Sequence, residues 1–125
     1  MGVVAGIQDI VDAYGDAWNE PDRDKRRELL EQAWADDGAF VDPERTLVGR
    51  DALMDLIDDF QNEKPWARME FTSEPEEHQG SLRITWALVQ ADGTRVEEGV
   101  DFGEVAEDGR LRKIVTFFGL LPFGR

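Results

Sequence analysis

The stretch that decides how this chain folds is Ala35-Asp36-Asp37-Gly38-Ala39-Phe40-Val41-Asp42-Pro43. It follows a helical segment, forms a short apolar run and ends on a carboxylate directly before a proline. Because a residue that precedes proline is pushed towards extended backbone, Asp42 is predicted to lie at the end of a short strand. That position suits either an Asp-Pro turn with a solvated side chain or a catalytic base. The rest of the sequence is needed to distinguish between these two interpretations.

Two amphipathic helices are predicted before this stretch. The first carries apolar residues at the spacing of one helical face and is expected to run from Ile7 to about Glu20, where Pro21 stops it. The second has its apolar stripe within residues 29–34 and is expected to end near Asp36, where a glycine releases the chain. Charged residues cover the opposite face of this second helix.

The pattern changes from helical to alternating in the second half of the chain. A third helix is predicted after Gly49, with Phe60 on its apolar side, and Lys64-Pro65 closes it. Four strands are then expected, over residues 67–73, 82–90, 94–105 and 111–119. Asp92-Gly93 and Asp108-Gly109 are typical of hairpin turns, because glycine accepts the positive backbone angle that such turns need. Helices followed by an antiparallel meander indicate an α+β fold in a single domain, residues 1–125, with the helices on one face of a curved sheet.

Alternation along the strands predicts which side chains can meet. Two sets are expected on the concave face that the helices cover: Leu82, Ile84, Trp86 and Leu88 on one strand, and Ile114, Thr116 and Phe118 on the last. A third set is expected on the outer face: Val100, Phe102, Val115 and Phe117. A single layer of helices cannot cover both faces, so the outer apolar residues predict a homodimer through this face.

Composition and charge exclude several classes of protein. The formal net charge of -14, from 28 acidic and 14 basic residues, opposes binding to nucleic acid and to anionic membrane surfaces. No apolar run is long enough to span a bilayer and no export signal is recognisable, so a cytoplasmic protein is expected. With no cysteine and one histidine, His78, neither a metal site nor a cofactor is predicted. Glycine-rich phosphate loops and nucleophile elbows are also missing, which leaves paired carboxylates as the candidate chemistry.

Asp101 and Tyr14 are the candidate partners of Asp42. By alternation Asp101 faces the apolar interior, where burial would raise the pKa of its carboxyl so that it could donate a hydrogen bond while neutral. The alternative is that Asp101 pairs with an arginine or lies near a wet rim. Tyr14, the only tyrosine, lies on the apolar stripe of the first helix, so its hydroxyl needs a buried partner. The alternative is an ordinary core aromatic whose hydroxyl donates a hydrogen bond to a backbone carbonyl.

Several further residues are predicted to line a pocket between helices and sheet. They are Trp18, Phe60, Trp66, Ile84, Trp86, Thr116 and Phe118, any of which could instead be plain core. His78 lies in a polar loop, either as a surface residue or at the pocket rim.

Four stretches of the sequence resemble the nuclear transport factor 2-like superfamily, and within it the SnoaL-like proteins and steroid isomerases. They are residues 14–19 (YGDAWN), 40–43 (FVDP), 49–53 (GRDAL) and 108–111 (DGRL). Together they span nearly the whole chain. The resemblance implies a cystatin-like cone of three helices against a strongly bent, mostly antiparallel sheet, usually dimeric, with a pocket between the two layers.

The chain is more distantly similar to ketosteroid isomerase, and this similarity implies roles for the three polar residues. Asp42 corresponds to the general base, and Tyr14 and a protonated Asp101 correspond to the donors of an oxyanion hole. The chain departs from the isomerase pattern at Glu97 and Glu98, which put charge on a strand expected to line an apolar cavity. Such charge raises the cost of a fully dry, steroid-like pocket.

Three functions follow from these observations. The resemblance implies a cofactor-free isomerase or cyclase that acts on a small hydrophobic carbonyl compound, polyketide-like or steroid-like. The alternative is a non-catalytic domain that binds a small molecule or serves as a dimeric scaffold. Epoxide hydrolysis would need an arginine that bridges paired carboxylates around a water, and the sequence does not indicate where that arginine would be.

Overall fold

The computed structural model describes residues 6–119, which form three helices and seven strands. In chain order these are α1 (Ile7–Asn19), α2 (Arg23–Ala33), β1 (Trp34–Val41), β2 (Thr46–Val48), α3 (Arg50–Glu63), β3 (Arg68–Phe71), β4 (Glu76–His78), β5 (Ser81–Val89), β6 (Arg95–Val105) and β7 (Leu111–Phe118). The helices pack on one side of a single sheet, so the predicted α+β cone is confirmed. Among the described residues, no helix has the length and apolar character needed to cross a membrane.

The first two helices are separated by a short, well-capped break. α1 ends at Asn19 because Glu20 is already extended ahead of Pro21. The Asp22 side chain then caps α2, since its Oδ1 atom accepts hydrogen bonds from the backbone N–H groups of Asp24 (2.9 Å) and Lys25 (3.1 Å). The predicted end of α1 is therefore confirmed to within one residue.

The predicted end of α2 near Asp36 is wrong. The helix ends at Ala33, and residues 34–41 form β1 instead. The Trp34 side chain is completely buried, and its ring lies so close over Gly38 that a β-carbon there would be 2.5 Å from Nε1. The carbonyl of Trp34 accepts a hydrogen bond from Arg50 Nη2 (2.7 Å). These contacts with distant residues draw Trp34 out of the helix and into the sheet.

The sheet has the strand order β2-β1-β7-β6-β5-β3, with β4 also paired to β5. All pairs are antiparallel except β1 with β7, which is parallel. The predicted bounds of β5, β6 and β7 are correct to within one residue, whereas β2 and β4, each three residues long, were not predicted. The two predicted hairpin turns are confirmed, because Gly93 (φ 89°) and Gly109 (φ 91°) have positive backbone angles.

The faces of the sheet follow the predicted alternation. Leu82, Ile84 and Ile114 are at most 3% exposed and pack against the helices on the concave face. On the outer face, Phe102 and Phe117 are exposed and contact each other edge to face at 5.8 Å. Val100, which was predicted to share this outer face, is buried.

Candidate functional site

A cavity of about 560 Å³ lies between the helices and the concave face of the sheet. Aromatic side chains from α1, α3 and three strands form most of its wall: Tyr14, Trp18, Phe40, Phe60, Trp86 and Phe118. Leu56, Met69 and Leu88 add aliphatic surface. A concave, mostly apolar wall with a few polar groups is the usual form of a small-molecule site.

All three candidate polar residues, Tyr14, Asp42 and Asp101, line this one cavity. Five of the seven predicted pocket-lining residues line it too: Trp18, Phe60, Trp86, Thr116 and Phe118. Their arrangement around one space was predicted from three separate parts of the sequence. Their chemical roles remain predictions.

Three other predicted residues lie outside the cavity wall. Ile84 faces the concave side as predicted, but it lies in the core below the cavity and is 2% exposed. Trp66 follows the end of α3 and is 41% exposed, because the turn at Pro65 directs it away from the sheet. His78 is exposed at the end of β4, where residues 76–78 pair with β5 instead of forming a loop over the cavity.

Asp101 lies at the closed end of the cavity, between two glycines on the same strand face. It pairs with Ile84 on one neighbouring strand and with Thr116 on the other, and only 5% of its surface is exposed. Burial raises the pKa of the Asp101 carboxyl to about 7, although the Thr116 hydroxyl and the Trp86 indole oppose this shift. Neither Asp101 Oδ1 nor Trp86 Nε1 makes a hydrogen bond of standard geometry to the described residues. The Asp101 carboxyl is therefore a polar group of the cavity wall that the protein does not fully satisfy.

Tyr14 is held rigidly on α1 by stacked rings. Its ring lies 5.5 Å from that of Trp34 and 6.3 Å from that of Phe71, nearly parallel to both. Burial, and secondarily the charge of Asp101, raises the pKa of the Tyr14 hydroxyl well above its usual value, while the Trp18 side chain acts in the opposite direction. The hydroxyl thus stays protonated and can act only as a donor or neutral acceptor at ordinary pH. Because the charge of Asp101 affects the pKa of the Tyr14 hydroxyl, the two side chains lie close together.

Asp42 combines both interpretations of the sequence. Its Oδ1 atom accepts hydrogen bonds from the backbone N–H groups of Glu44 (2.9 Å) and Arg45 (3.0 Å), which makes the Asp-Pro turn that was one alternative. Its Oδ2 atom lies 3.4 Å from Arg45 Nε, and the side chain is only 12% exposed. The turn fixes the carboxylate in orientation, and the same carboxylate lines the cavity.

The strand register relates Asp42 to Asp101. Phe40 and Val41 lie opposite Ile114 and Val115, so Asp42, the next residue, continues towards Thr116. Thr116 is in turn the partner of Asp101. Since neighbouring strands are about 4.8 Å apart, the Cα atoms of Asp42 and Asp101 are separated by about 10 Å across the cavity floor.

Among the charged residues at the open side of the cavity, Glu97 was predicted to lie on a cavity-lining strand and the others were not predicted. Exposed lining residues include Asp59 and Glu63 on α3 and Glu97 on β6; Glu44, Arg45 and Lys64 also contribute. The spacing of Asp59 and Glu63 around Phe60 was the available signal, because residues four apart share a helix face. Elsewhere, residues 6–119 contain no group of three or more metal-binding side chains arranged to hold an ion.

Comparison with solved structures supports these assignments of fold. A protein from Agrobacterium tumefaciens, described as a "putative isomerase of the SnoaL-like family", is 32% identical, with a TM-score of 0.81 over 89% of this chain and 95% of that chain. A nuclear transport factor 2-like protein of unknown function from Exiguobacterium is 18% identical, with a TM-score of 0.69 over 90% of this chain and 99% of that one.

Solved structures with lower sequence identity support the assignment of the fold and nothing further. A protein from Sinorhizobium meliloti described as a "putative polyketide cyclase" is 18% identical, with a TM-score of 0.65 over 87% of this chain and 94% of that one. No protein-family profile matches the sequence, and no curated protein matches it. The likeness to the Agrobacterium protein covers nearly the full length of both chains at 32% identity, and the chain therefore belongs to the SnoaL-like family of the nuclear transport factor 2-like superfamily.

Proposed function

We propose that this protein is a cofactor-free isomerase or cyclase that acts on a small hydrophobic carbonyl compound, polyketide-like or steroid-like, in the central cavity. One observation carries the proposal: a buried carboxyl with a pKa of about 7 and a protonated tyrosine hydroxyl share one apolar cavity with the carboxylate of Asp42. Groups with such perturbed pKa values in a cleft are candidates for proton-transfer chemistry.

In this proposal Asp42 removes a proton from the carbon next to the carbonyl. Oδ1 holds the turn, so Oδ2 is the atom that takes the proton, and Arg45 Nε beside it keeps it oriented. The electron pair of the broken C–H bond moves towards the carbonyl oxygen and gives an enolate.

Tyr14 and the neutral form of Asp101 donate hydrogen bonds to that developing oxyanion. A base contact of about 3 Å, the span from the reacting carbon to its carbonyl oxygen and a hydrogen bond of about 2.7 Å together amount to about 8 Å between the two carboxyl oxygens, which is of the same order as the spacing of the strands that carry Asp42 and Asp101. Donors aimed at charge that forms only in the transition state lower the barrier more than they strengthen substrate binding.

The fate of the enolate distinguishes the two reactions. In an isomerase, Asp42 returns the proton to a different carbon of the conjugated system. In a cyclase, the carbanion attacks a second carbonyl of the same molecule, a new carbon–carbon bond forms, and the resulting alkoxide takes up a proton. Removal of the first proton is common to both.

The test therefore measures that first step. A panel of neutral cyclic ketones is incubated with the protein in D₂O, and exchange of the hydrogens next to the carbonyl is followed by NMR. We expect Asp42→Asn to slow the exchange by about 10²-fold to 10⁴-fold and Tyr14→Phe to slow it by about 10²-fold. Asp37→Asn, an exposed carboxylate outside the cavity wall, is the matched control. Equal exchange by wild type and Asp42→Asn would remove Asp42 from the mechanism.

A non-catalytic binding domain is the second candidate function. It is favoured by one observation: Asp42 already has a structural role, since its carboxylate caps a turn and pairs with Arg45. This function predicts that ketones bind in the cavity, that no variant changes their exchange rate, and that Asp42→Asn binds them as tightly as wild type.

We propose further that two copies associate through the outer face of the sheet. The support is the exposed pair Phe102 and Phe117 on neighbouring strands. Large apolar groups clustered on one face are a common feature of surfaces that bind another protein.

A further inference from the structure

The open side of the cavity carries carboxylates without counter-charges. Asp59, Glu63 and Glu97 are exposed and line the cavity, and none of the three forms an ion pair with residues 6–119. We call these three residues the acidic rim. Asp58, on the same helix, is by contrast paired with Arg26. The acidic rim is therefore a local concentration of uncompensated negative charge.

The acidic rim borders the cavity from two sides. Asp59 and Glu63 lie one turn apart on the same face of α3, on either side of the cavity-lining ring of Phe60. Like charges at this spacing repel each other, and a cation between them would relieve the repulsion. Glu97 lies on β6 opposite Leu88, so it approaches the same opening from the sheet.

The cations near the opening do not balance this charge. Arg45 is occupied by Asp42 (3.4 Å) and Glu44 (2.9 Å). Lys64 also lines the cavity and leaves the acidic rim with an excess of two negative charges. The protein as a whole is strongly acidic, with a formal charge of -14, so its long-range field adds to the same preference.

The interior of the cavity is suited to the remaining part of a ligand whose cationic group lies at the acidic rim. Asp101 Oδ1 is buried, unpartnered and part of the cavity wall, which indicates that the cavity receives a polar ligand group. The rings of Trp18, Phe60 and Trp86 offer faces and edges that bind apolar groups, and the face of an aromatic ring also attracts cations. An anionic ligand would meet the carboxylates of the acidic rim at the opening of the cavity.

We propose that the ligand of this cavity is an organic cation, an amine whose apolar part lies against the aromatic wall and whose ammonium group lies at the acidic rim. The inference rests on the proposed function, because it names the substrate class of the same site: a hydrophobic carbonyl compound that also carries a basic amine. Carboxylates, and thioesters attached to phosphate-bearing carriers, are selected against.

Equilibrium binding of three probes of nearly equal size tests this inference without turnover. The probes are naphthylmethylamine, acetylnaphthalene and naphthalene carboxylate, which are cationic, neutral and anionic at neutral pH, and their affinities are measured by calorimetry. We expect the amine to bind about tenfold more tightly than the neutral ketone, and the carboxylate to bind more weakly than both, because exposed ion pairs contribute modestly and several act together. The preference should shrink in about 0.5 M salt, where charges are screened.

Two triple variants with the same change in net charge distinguish the effect of the acidic rim from the effect of the protein's overall electrostatic field. Asp59→Asn/Glu63→Gln/Glu97→Gln should bind the amine and the ketone equally, with ketone affinity unchanged from wild type. Glu28→Gln/Glu74→Gln/Glu107→Gln removes three exposed charges outside the cavity wall and should keep the wild-type order.

Three results would overturn the inference: equal binding of the three probes to wild type, tightest binding of the carboxylate, or loss of the preference in both triple variants. Absence of binding by all three probes would do so as well, since each fits within about 560 Å³. Failure of the proposed function gives a different result. In that case the amine still binds most tightly, but Asp42→Asn leaves ketone exchange unchanged.

Discussion

Trp86 and Gly99 lie directly opposite each other on β5 and β6, and the indole ring fills the space that a side chain at position 99 would need. A β-carbon there would be 2.2 Å from Trp86 Cζ2 and 2.3 Å from the carbonyl oxygen of Phe117. The indole can therefore lie across the strand towards Asp101, and the closed end of the cavity depends on the absence of a side chain at Gly99.

Gly99→Ala should destabilise the protein by about 2 kcal/mol or more, because the new methyl group meets backbone as well as a buried ring and neither can move freely. Urea unfolding followed by circular dichroism measures the effect. Gly6→Ala is the control, since a β-carbon at Gly6 contacts nothing within 4 Å, and it should change stability little. A neutral effect of Gly99→Ala would show that the Trp86 ring does not occupy this position.

Two substitutions at Asp42 separate its role in the turn from its charge. Asparagine keeps an oxygen that can accept from the N–H groups of Glu44 and Arg45, so Asp42→Asn should change the free energy of unfolding by less than about 0.5 kcal/mol. Asp42→Ala loses both hydrogen bonds and should cost about 1 to 2 kcal/mol. Equal stability of the two variants in urea titrations would contradict the turn.

The stability of the protein should depend on the ionisation of Asp101. The pKa of its carboxyl is about 7 in the folded protein and near 3.8 when unfolded. Below pH 3.8 both states hold the proton. As the pH rises from there through 7, unfolding releases the proton, so the stabilisation is progressively lost, to a total of about 4 kcal/mol.

Asp101→Asn removes this dependence and provides the measurement. The stability of the variant minus that of wild type should increase between about pH 4 and about pH 7 and then level off, because only wild type loses stability through this group. Carboxylates whose pKa is lowered titrate with the opposite sign and cancel in the difference: Asp36, Asp51, Asp58, Asp92 and Asp108. A difference that stays constant with pH would mean that the pKa of Asp101 is not raised.

Replacing the exposed pair on the outer face tests the proposed homodimer. Wild type should sediment as a dimer at micromolar concentration, and Phe102→Ser/Phe117→Ser should sediment as a monomer with unchanged circular dichroism. Val48→Ser is the control, because Val48 is 63% exposed but lies on β2, away from this face. A monomeric wild type would refute the proposal directly.

Local sequence patterns predicted most of the fold because residues close together in the sequence determine most of its helices, strands and turns. The apolar spacing of α1 and α3 and the glycine turns between β5, β6 and β7 act within a few residues. The strand that leads to Asp42 was predicted, but its start was placed after Asp36 instead of at Trp34, because Trp34 and Ala35 continue the apolar stripe of α2. Their extended conformation depends on distant groups, such as Arg50 at the carbonyl of Trp34.

The candidate site was predictable where strand alternation alone decides orientation. Asp101 and Thr116 face inwards for that reason. Trp66 and His78 follow turns, and the direction of a chain after a turn depends on contacts that a sequence pattern does not contain. The pairing of Asp42 with Arg45, three residues away, could have been predicted from the local sequence. It holds the Asp42 carboxylate in a turn while the same carboxylate lines the cavity, so both interpretations of Asp42 apply.

The parallel pairing of β1 with β7 also has a consequence for folding. β7 lies between β1 and β6, so the N-terminal part of the sheet joins the meander only through the strand that comes last among the described elements. Until residues 111–118 are in place, one edge of β1 has no partner and the cavity has no closed floor. Pairing between such distant segments delays productive folding, which for sheets of this kind takes milliseconds to seconds. Shortening the chain within β7 should therefore prevent the cone from closing, even though every helix is still present.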